Sequence, residues 1–472
     1  MKCSVIIPAF KQAEYLGAAI ESVLQQTHGD FECVVVNDCS PDHTEEVVRQ
    51  YSDPRIVYVK HEQNQGLPAT RNTGIRASTG ETLFLLDCDD MFHREKLQRH
   101  VQFLTRHPEV GCTYNPRFEL YYGGNAINGL VRPPVRLELR DLVLGFPFSP
   151  SDMVIRREWY DKVGGFDGSL RNYSEDLDIN CKLALAGCQF ASVNKTLNYR
   201  RLHSARPLRI AARLEAALQV LERILNDPRC PDDIRALRDH AYRLNYIVWG
   251  DLALLQNEVE LGHDYLRKAL AHEPSIITGR PSEMASYFAW SAACDDNFDH
   301  VELLRLYFDR FPAEFAAVKA EFDWAAGQGA LMKGIRALMW DRPEDGRKHF
   351  AEAVRWQTKV EEPQLRKIAD DLFNYEFEFG AEQAQAVWKS ISSAFEVFGP
   401  ALTRQLRSIY YVNRAFKSLH NGQMKQARQM AFDAIANDPR YLTNRGVLAT
   451  IVRSVVGARP PAVAKYIEVT GN

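Results

Sequence analysis

An α/β domain on a mostly parallel sheet, followed by an all-α half, is the fold class this sequence predicts. Three observations carry the prediction. From residue 2 to about residue 107, apolar β-branched runs alternate with segments of helical apolar spacing. One of those runs, T-L-F-L-L-D-C-D-D-M-F at 82–92, stops abruptly at three carboxylates, Asp87, Asp89 and Asp90. From about Pro207 the chain turns rich in Ala, Leu, Arg and Glu at helical spacing, and strand runs become scarce. A β-α-β-α-β-α-β order gives a doubly wound parallel sheet, because right-handed crossovers pack the helices back onto it.

The elements follow in order. Residues 3–7 are apolar and β-branched and form the first strand. Leu16, Ile20, Val23 and Leu24 then recur at helical spacing. Residues 31–36 make a second strand that ends at Asn37 and Asp38. Ser40 as cap and Pro41 as first helical residue predict a helix start there. Residues 56–59 form a third strand, a helix spans about 68–78, and residues 83–86 form the strand that meets the carboxylates. Short apolar runs of this kind are buried on both faces. Ligands of open α/β sheets gather at the strands' carboxyl ends, so Asp38, Asp87 and Asp89 are expected on one rim. Two aspartates one residue apart can share a hard cation, Mg²⁺ or Mn²⁺, which completes its shell with phosphate oxygens. That is a device for holding a diphosphate. An isolated D-x-D is as readily an acidic turn capping a helix, so the reading rests on the neighbouring segments.

Composition narrows the classes. A chain of 472 residues exceeds one ordinary core and predicts two or three domains. With 46% hydrophobic and 25% charged residues it is an ordinary globular protein. A net charge of −3 offers no global attraction to nucleic acid. Nine cysteines without a C-x-x-C pair predict neither a disulfide framework nor a cysteine-based zinc site. A reducing cytoplasm fits, and peripheral contact with the inner face of a membrane is compatible with it. No run of 18 apolar residues predicts a transmembrane helix. The start, M-K-C-S-V-I-I-P, is short for a signal peptide and reads as the first strand.

The segments together carry a resemblance. S-V-I-I-P-A-F (4–10) resembles the opening of the family 2 glycosyltransferases of GT-A fold. V-V-V-N-D-C-S-P-D (34–42) is similar to their V-D-D-G-S-x-D segment, with Asn37 where the family has an aspartate. N-Q-G-L-P-A-T-R-N-T-G-I (64–75) is similar to their N-x-G-x-x-x-A-R-N-x-G block, and L-L-D-C-D-D to their D-x-D-D segment. V-G-G-F-D (163–167), S-E-D-L-D (174–178) and Y-R-R-L-H (199–203) resemble the motifs that follow. These blocks stand in the family's order across about 200 residues.

The resemblance implies roles. Asp38 would accept the N3–H of a uracil or thymine ring; a helix-capping turn is its bland alternative. Pro8 and Phe10 would line the nucleotide-sugar site. Arg71, with Asn72 beside it, would meet a phosphate or carboxylate, for which a guanidinium is the preferred bidentate partner. Asp87 would reach the ribose or the donor sugar, and Asp89 would ligate the metal. Asp90 would support that site from behind or cap the next helix. Asp176 would be the base that deprotonates the acceptor hydroxyl, with Glu175 beside it; acidic residues in a first helical turn also stabilise the helix dipole. Asp178 reads as structural. His203 would complete the metal or diphosphate site, and Arg200 and Arg201 are further basic candidates. Gly66 and Gly74 read as backbone requirements.

In the second half, residues 421–439, 261–274 and, more poorly, 345–354 are similar to the second helix of a tetratricopeptide repeat. Their matched alanines, Ala269, Ala353 and Ala434, are spaced by 84 and 81 residues, so an irregular stack of helical hairpins is expected and not a strict array. E-A-V-R-W (352–356) is similar to the Q-x-x-R-W of processive synthases but lacks the glutamine, and reads as helix packing. The expected organisation is a GT-A catalytic domain over 1–205 and a helical, tetratricopeptide-like domain over 206–472. The expected function is inverting transfer of a sugar from a nucleotide-diphosphate sugar, UDP-linked by preference, to a glycan, lipid-linked or protein acceptor. Surface glycan or glycoconjugate synthesis is the expected setting. A sugar nucleotidyltransferase would need a Gly-rich basic loop after the first strand, which P-A-F-K-Q-A-E (8–14) lacks. A nucleotide-sugar-binding scaffold with an inert catalytic half would have no reason to keep Asp38, Asp87, Asp89 and Asp176.

Overall fold

The computed structural model describes residues 1–120, 127–145, 148–170, 173–202, 209–295, 298–420 and 422–456. It divides into two compact units, residues 1–275 and 276–472.

Among the described residues of the first unit lie twelve strands: β1 (Cys3–Ala9), β2 (Phe31–Asn37), β3 (Ile56–Lys60), β4 (Thr82–Leu85), β5 (Met91–Phe92), β6 (Val110–Tyr114), β7 (Arg117–Leu120), β8 (Ile127–Val131), β9 (Arg136–Leu137), β10 (Met153–Arg156), β11 (Gln189–Ser192) and β12 (Asn198–Arg201). Eight form one sheet in the order β3-β2-β1-β4-β10-β6-β11-β9. β3, β2, β1 and β4 run parallel, and β10 is antiparallel to both β4 and β6. A smaller sheet has the order β5-β12-β7-β8.

Helices cover both faces of the large sheet, and the period-2 alternation of the strands explains how. On one face Val5, Ile7, Val35, Phe84 and Leu86 meet α1 (Ala13–Leu24) through Leu16, Ile20 and Val23, and α4 (Lys96–Arg106, numbered after α2, Thr44–Arg49, and α3, Leu67–Arg76) through Leu97, Phe103 and Leu104. On the other, Ile6, Val34, Val36, Leu83 and Leu85 share a cluster with Ile75 of α3. A Cβ on Gly74 would stand 2.5 Å from Ile6 Cγ2, so the missing side chain is what lets α3 lie against β1.

The same cluster contains Ile179, Cys181 and Leu183 of α7 (Glu175–Leu185, after α5, Leu139–Leu144, and α6, Arg157–Val163) and Val220, Leu221, Ile224 and Leu225 of α8 (Ile210–Leu225). The amphipathic face of α8 is therefore part of the sheet's own core. The helix after β2 starts at Thr44, not at Pro41. His43, not Ser40, stands at the cap and makes no side-chain cap bond, while Asp42 before it ties the turn: its Oδ1 accepts from the Thr44 amide (3.2 Å) and from the hydroxyls of Ser40 and Thr44 (both 2.6 Å).

Beyond α8 the described chain is helical. Arg238–Leu255 pairs with Val259–His272 in the first unit. In the second, Phe322–Met339 pairs with Pro343–Arg355 and Pro400–His420 with Met424–Asn437. Ala269, Ala353 and Ala434 are each fully buried on the second helix of their pair. Small residues there let two helix backbones approach closely.

Leu221 sits in the sheet's core, so Leu221→Ala should cost about 2–5 kcal/mol. Urea unfolding of the intact chain, followed by near-ultraviolet circular dichroism, would measure it. An unchanged midpoint would remove α8 from that core.

Candidate active site

The parallel strands end together, and their carboxyl ends make a cleft of about 300 Å³ lined by Pro8, Phe10, Gln12, Asp38, Asn64, Asp87 and Asp89 among others. Every nucleotide-sugar candidate named from the sequence except Arg71 lines it, and Arg71 lies directly behind.

Arg71 is 1% exposed on α3. Its Nη2 donates to Asp87 Oδ1 and its Nη1 to Glu175 Oε1, both at 2.7 Å. The Phe166 ring lies 5.5 Å from the guanidinium carbon. A buried guanidinium needs paired charges of this kind, since an unpaired one costs several kcal/mol. One fork thus joins the T-R-N, D-C-D-D and E-D segments. Asn72, its neighbour, holds the 164–167 turn: Asn72 Nδ2 donates to the Phe166 carbonyl (2.8 Å), and Asn72 Oδ1 accepts from the Phe166 amide (3.1 Å) and the Tyr160 hydroxyl (2.5 Å).

Asp38 is 3% exposed and its carboxylate organises the next loop. Oδ1 meets His61 Nδ1 at 2.8 Å and accepts from the Gln65 amide at 2.8 Å, while Oδ2 accepts from the Gly66 amide at 2.9 Å. Gly66 has φ of +88°, a left-handed conformation that lets its amide face the carboxylate. Asn37 stands where the family has a second aspartate, and it ties the turn through Tyr58 and the Ser40 amide.

Asp89 Oδ2 accepts from Gln12 Nε2 at 2.6 Å, and Cys88 Sγ donates to Gln12 Oε1 at 2.9 Å. Burial pushes the Asp87 carboxyl upward; Arg71 opposes the rise, and Asp89 and Glu175 add to it. Burial, with Asp89 and Asp87, pushes Asp90 well up. Carboxylates raised in spite of a guanidinium mark a place short of positive charge. Asp87 and Asp89 are therefore a donor set that suits a hard divalent cation, all oxygen and facing the cleft. Asp90 is turned away: it is buried, caps no helix, and accepts from the Arg201 amide of β12 at 3.1 Å.

Asp176 lies in the first turn of α7, partly exposed, with Oδ1 accepting from the Leu177 amide at 2.8 Å. Burial first, then Glu175, pushes its carboxyl up to about 7, against the pull of Arg71. Glu175 is 5% exposed and bonded to Arg71. Ser174, just before the pair, has φ of +59°; Lys11 after β1 (+58°) and Cys39 after Asp38 (+55°) are left-handed too. Non-glycine residues hold this conformation only where surrounding structure imposes it. Asp178 is fully buried and ion-paired to Lys182 (2.7 Å) and to Arg223 of α8 (2.5 Å), which also reaches Asp167 (2.8 Å).

His203 lies outside the described residues. Arg200 is 3.6 Å from Glu119, and Arg201 lies over the Tyr15 ring at 5.4 Å. Gln12, His61 and Ser151 went unnamed in the sequence. Ser151 Oγ accepts from the Asp87 amide (3.1 Å) and also hydrogen-bonds Asp90. A lone polar residue next to a motif carries no periodic signal, and only the three-dimensional contact reveals it.

A doubly wound sheet with an acidic rim, and these motifs in this order, define a glycosyltransferase of GT-A type. The chain belongs to glycosyl transferase family 2, whose pattern residues 4–164 match. An uncharacterised glycosyltransferase of Haemophilus influenzae is 32% identical over 208 residues, 43% of this chain and 69% of that one. A Bacillus subtilis protein, TuaG, whose name assigns it provisionally to teichuronic acid biosynthesis, is 35% identical over 114 residues, 24% of this chain and 44% of that one. Among solved structures, Staphylococcus aureus TarS 1–349 in complex with UDP is 16% identical, with a TM-score of 0.42 over 75% of this chain and 89% of that one.

Arg71→Met should leave Glu175 as an unpaired buried charge. Removing one partner of such a pair costs about 3–5 kcal/mol. Chemical denaturation would measure it, and a loss no larger than that of a surface substitution would break the proposed link between the segments.

Proposed function

We propose that the first unit transfers a sugar, with inversion, from a nucleoside diphosphate sugar to an acceptor hydroxyl, with UDP as the preferred carrier. The observation that supports this most is the pairing of two unlike acidic sites by one guanidinium. On one side of Arg71 stands Asp87, with Asp89 beside it; on the other stand Glu175 and Asp176. Pro8, Phe10 and Asp38 would line the nucleotide, with Asp38 fixing the loop beneath the base. Asp89, with Asp87 beside it, would hold Mg²⁺ or Mn²⁺. A cation bound there supplies Lewis acidity and neutralises the departing diphosphate.

The chain's own chemistry lies with Asp176. A general base works best with a pKa near the operating pH, and Asp176 is pushed up to about 7. Glu175 is bonded to Arg71, so its role is to orient that guanidinium and to raise the proton affinity of its neighbour. Asp176 would take the proton of the acceptor hydroxyl as that oxygen attacks the anomeric carbon from the face opposite the diphosphate. The acceptor we propose is a growing surface glycan or glycoconjugate, a setting supported by the name of the B. subtilis relative. No helix among the described residues is long and apolar enough to cross a membrane. Contact with a membrane-borne acceptor would then be peripheral, from the cytoplasmic side.

Asp89→Asn should abolish metal-supported UDP binding, because a neutral amide is a poor ligand for a hard cation. Calorimetry of UDP with Mn²⁺ tests this, and unchanged affinity would take Asp89 out of the metal site.

Asp176→Asn should lower kcat by about 10²–10⁴ with nucleotide affinity nearly unchanged. The base acts deprotonated, so kcat/KM of the parent should rise with pH through about 7 and then level. The variant should lose that limb. If Asp176→Asn turns over normally and Glu175→Gln is dead, the two roles are reversed.

A further inference from the structure

Three side chains far along the sequence from the catalytic motifs form a set of another chemistry. In the second unit, His300 begins the helix His300–Arg310, and His349 and Glu352 lie one turn apart on Pro343–Arg355. One ligand-capable atom from each lies within 4.8 Å of the others. We propose that His300, His349 and Glu352 bind a borderline divalent metal, zinc in the first instance, that clips these two helices together.

The state of His300 carries the argument. The residue is 0% exposed. Its Nε2 lies 3.2 Å from the Ala326 carbonyl of the helix Phe322–Met339, a contact that requires Nε2 to carry the proton. Nδ1 is then the lone-pair nitrogen, and it has no hydrogen-bond partner. A buried acceptor left unmade costs about 1–3 kcal/mol unless something else fills it. Metal-bound imidazoles characteristically donate their second nitrogen to a carbonyl or carboxylate, which fixes the tautomer and aims the first. His300 already makes that outer contact.

The surroundings are shaped for the ring. A Cβ on Gly329 would stand 2.8 Å from His300 Cδ2, so that glycine leaves the room the imidazole occupies. The rings of His300 and His349 meet edge to face, with centroids 5.8 Å apart. His349 Nδ1 and Glu352 Oε2 are 3.3 Å apart. Ligand atoms on one tetrahedral ion stand roughly 3.3 Å apart, so small side-chain rotations close the set. Two imidazoles and one carboxylate favour zinc over magnesium or calcium, which prefer all-oxygen shells. The Lys333 ammonium, whose charge also acts on His300, is bonded to the carbonyls of Asp295 and Phe298.

The test separates this site from the catalytic rim. The full chain carrying Asp89→Asn would be stripped with chelator and dialysed against Zn²⁺, with Co²⁺ as a spectroscopic substitute. One equivalent should bind and raise the melting temperature. The visible Co²⁺ spectrum should be that of nitrogen and oxygen ligands without a thiolate band. Adding His349→Ala, a partly exposed position, should weaken binding by roughly tenfold or more, and Glu352→Gln should weaken it too, with folding checked by circular dichroism. Failure of the Asp89→Asn chain to bind an equivalent would overturn the proposal. So would full-strength binding by the folded His349→Ala and Glu352→Gln chains, or a thiolate band that places the ion on cysteine.

Discussion

The catalytic unit is organised around one guanidinium buried from solvent. Arg71 is buried at the end of the sheet, and its two η-nitrogens are each committed to a carboxylate from a different part of the chain. Neither acid can move without leaving one η-nitrogen of the cation unpaired in a medium where Coulomb energies are large. The strand that ends at Asp87 and the helix that begins at Glu175 are therefore held in one register. What the Asp87 side and the Glu175 side share is this charge. Its pull on Asp176 also keeps that carboxyl from rising further, so the site's proton affinity and its shape have a common origin.

Much of this was legible in the sequence because strong physical signals carried it. Val5 to Ile7, Val34 to Val36 and Leu83 to Leu85 are continuous apolar runs that only a doubly covered sheet accommodates. The acidic residues at their ends had to lie on one rim. Other features left no such trace. β10 enters antiparallel between β4 and β6, and the small sheet is built from strands of two to five residues, including N-Y-R-R, too short to carry a periodic signal. The turn before α2 is tied by Asp42 because several donors converge on it, a matter of contacts and not of spacing. Gln12 and Ser151 became visible only when β1 and the 150–152 turn were brought beside the D-C-D-D segment. Nothing in the composition of α8 shows that its apolar face belongs to the sheet, since an amphipathic helix looks the same whichever core it covers.

The helical pairs follow a different economy. Their second helices bury alanine and glycine where the first helices press, as at Gly262 against Leu254. Backbones that approach so closely tolerate little variation at those positions and much elsewhere. This is why small residues at fixed places were readable although the interval between pairs is irregular.

Arg223 has a bearing on how the protein is made. It holds the buried carboxylate of Asp178, 45 residues earlier in the chain, and Asp167 beside it. Chains leave the ribosome from the amino end at about 5–20 residues per second. For some seconds after α7 emerges, the carboxylate that anchors it lacks this cation, and the core face it shares with α8 is uncovered. The unit is therefore born without this latch. A nascent chain halted in that interval exposes apolar surface of the kind that chaperones recognise, and it cannot mature before α8 arrives.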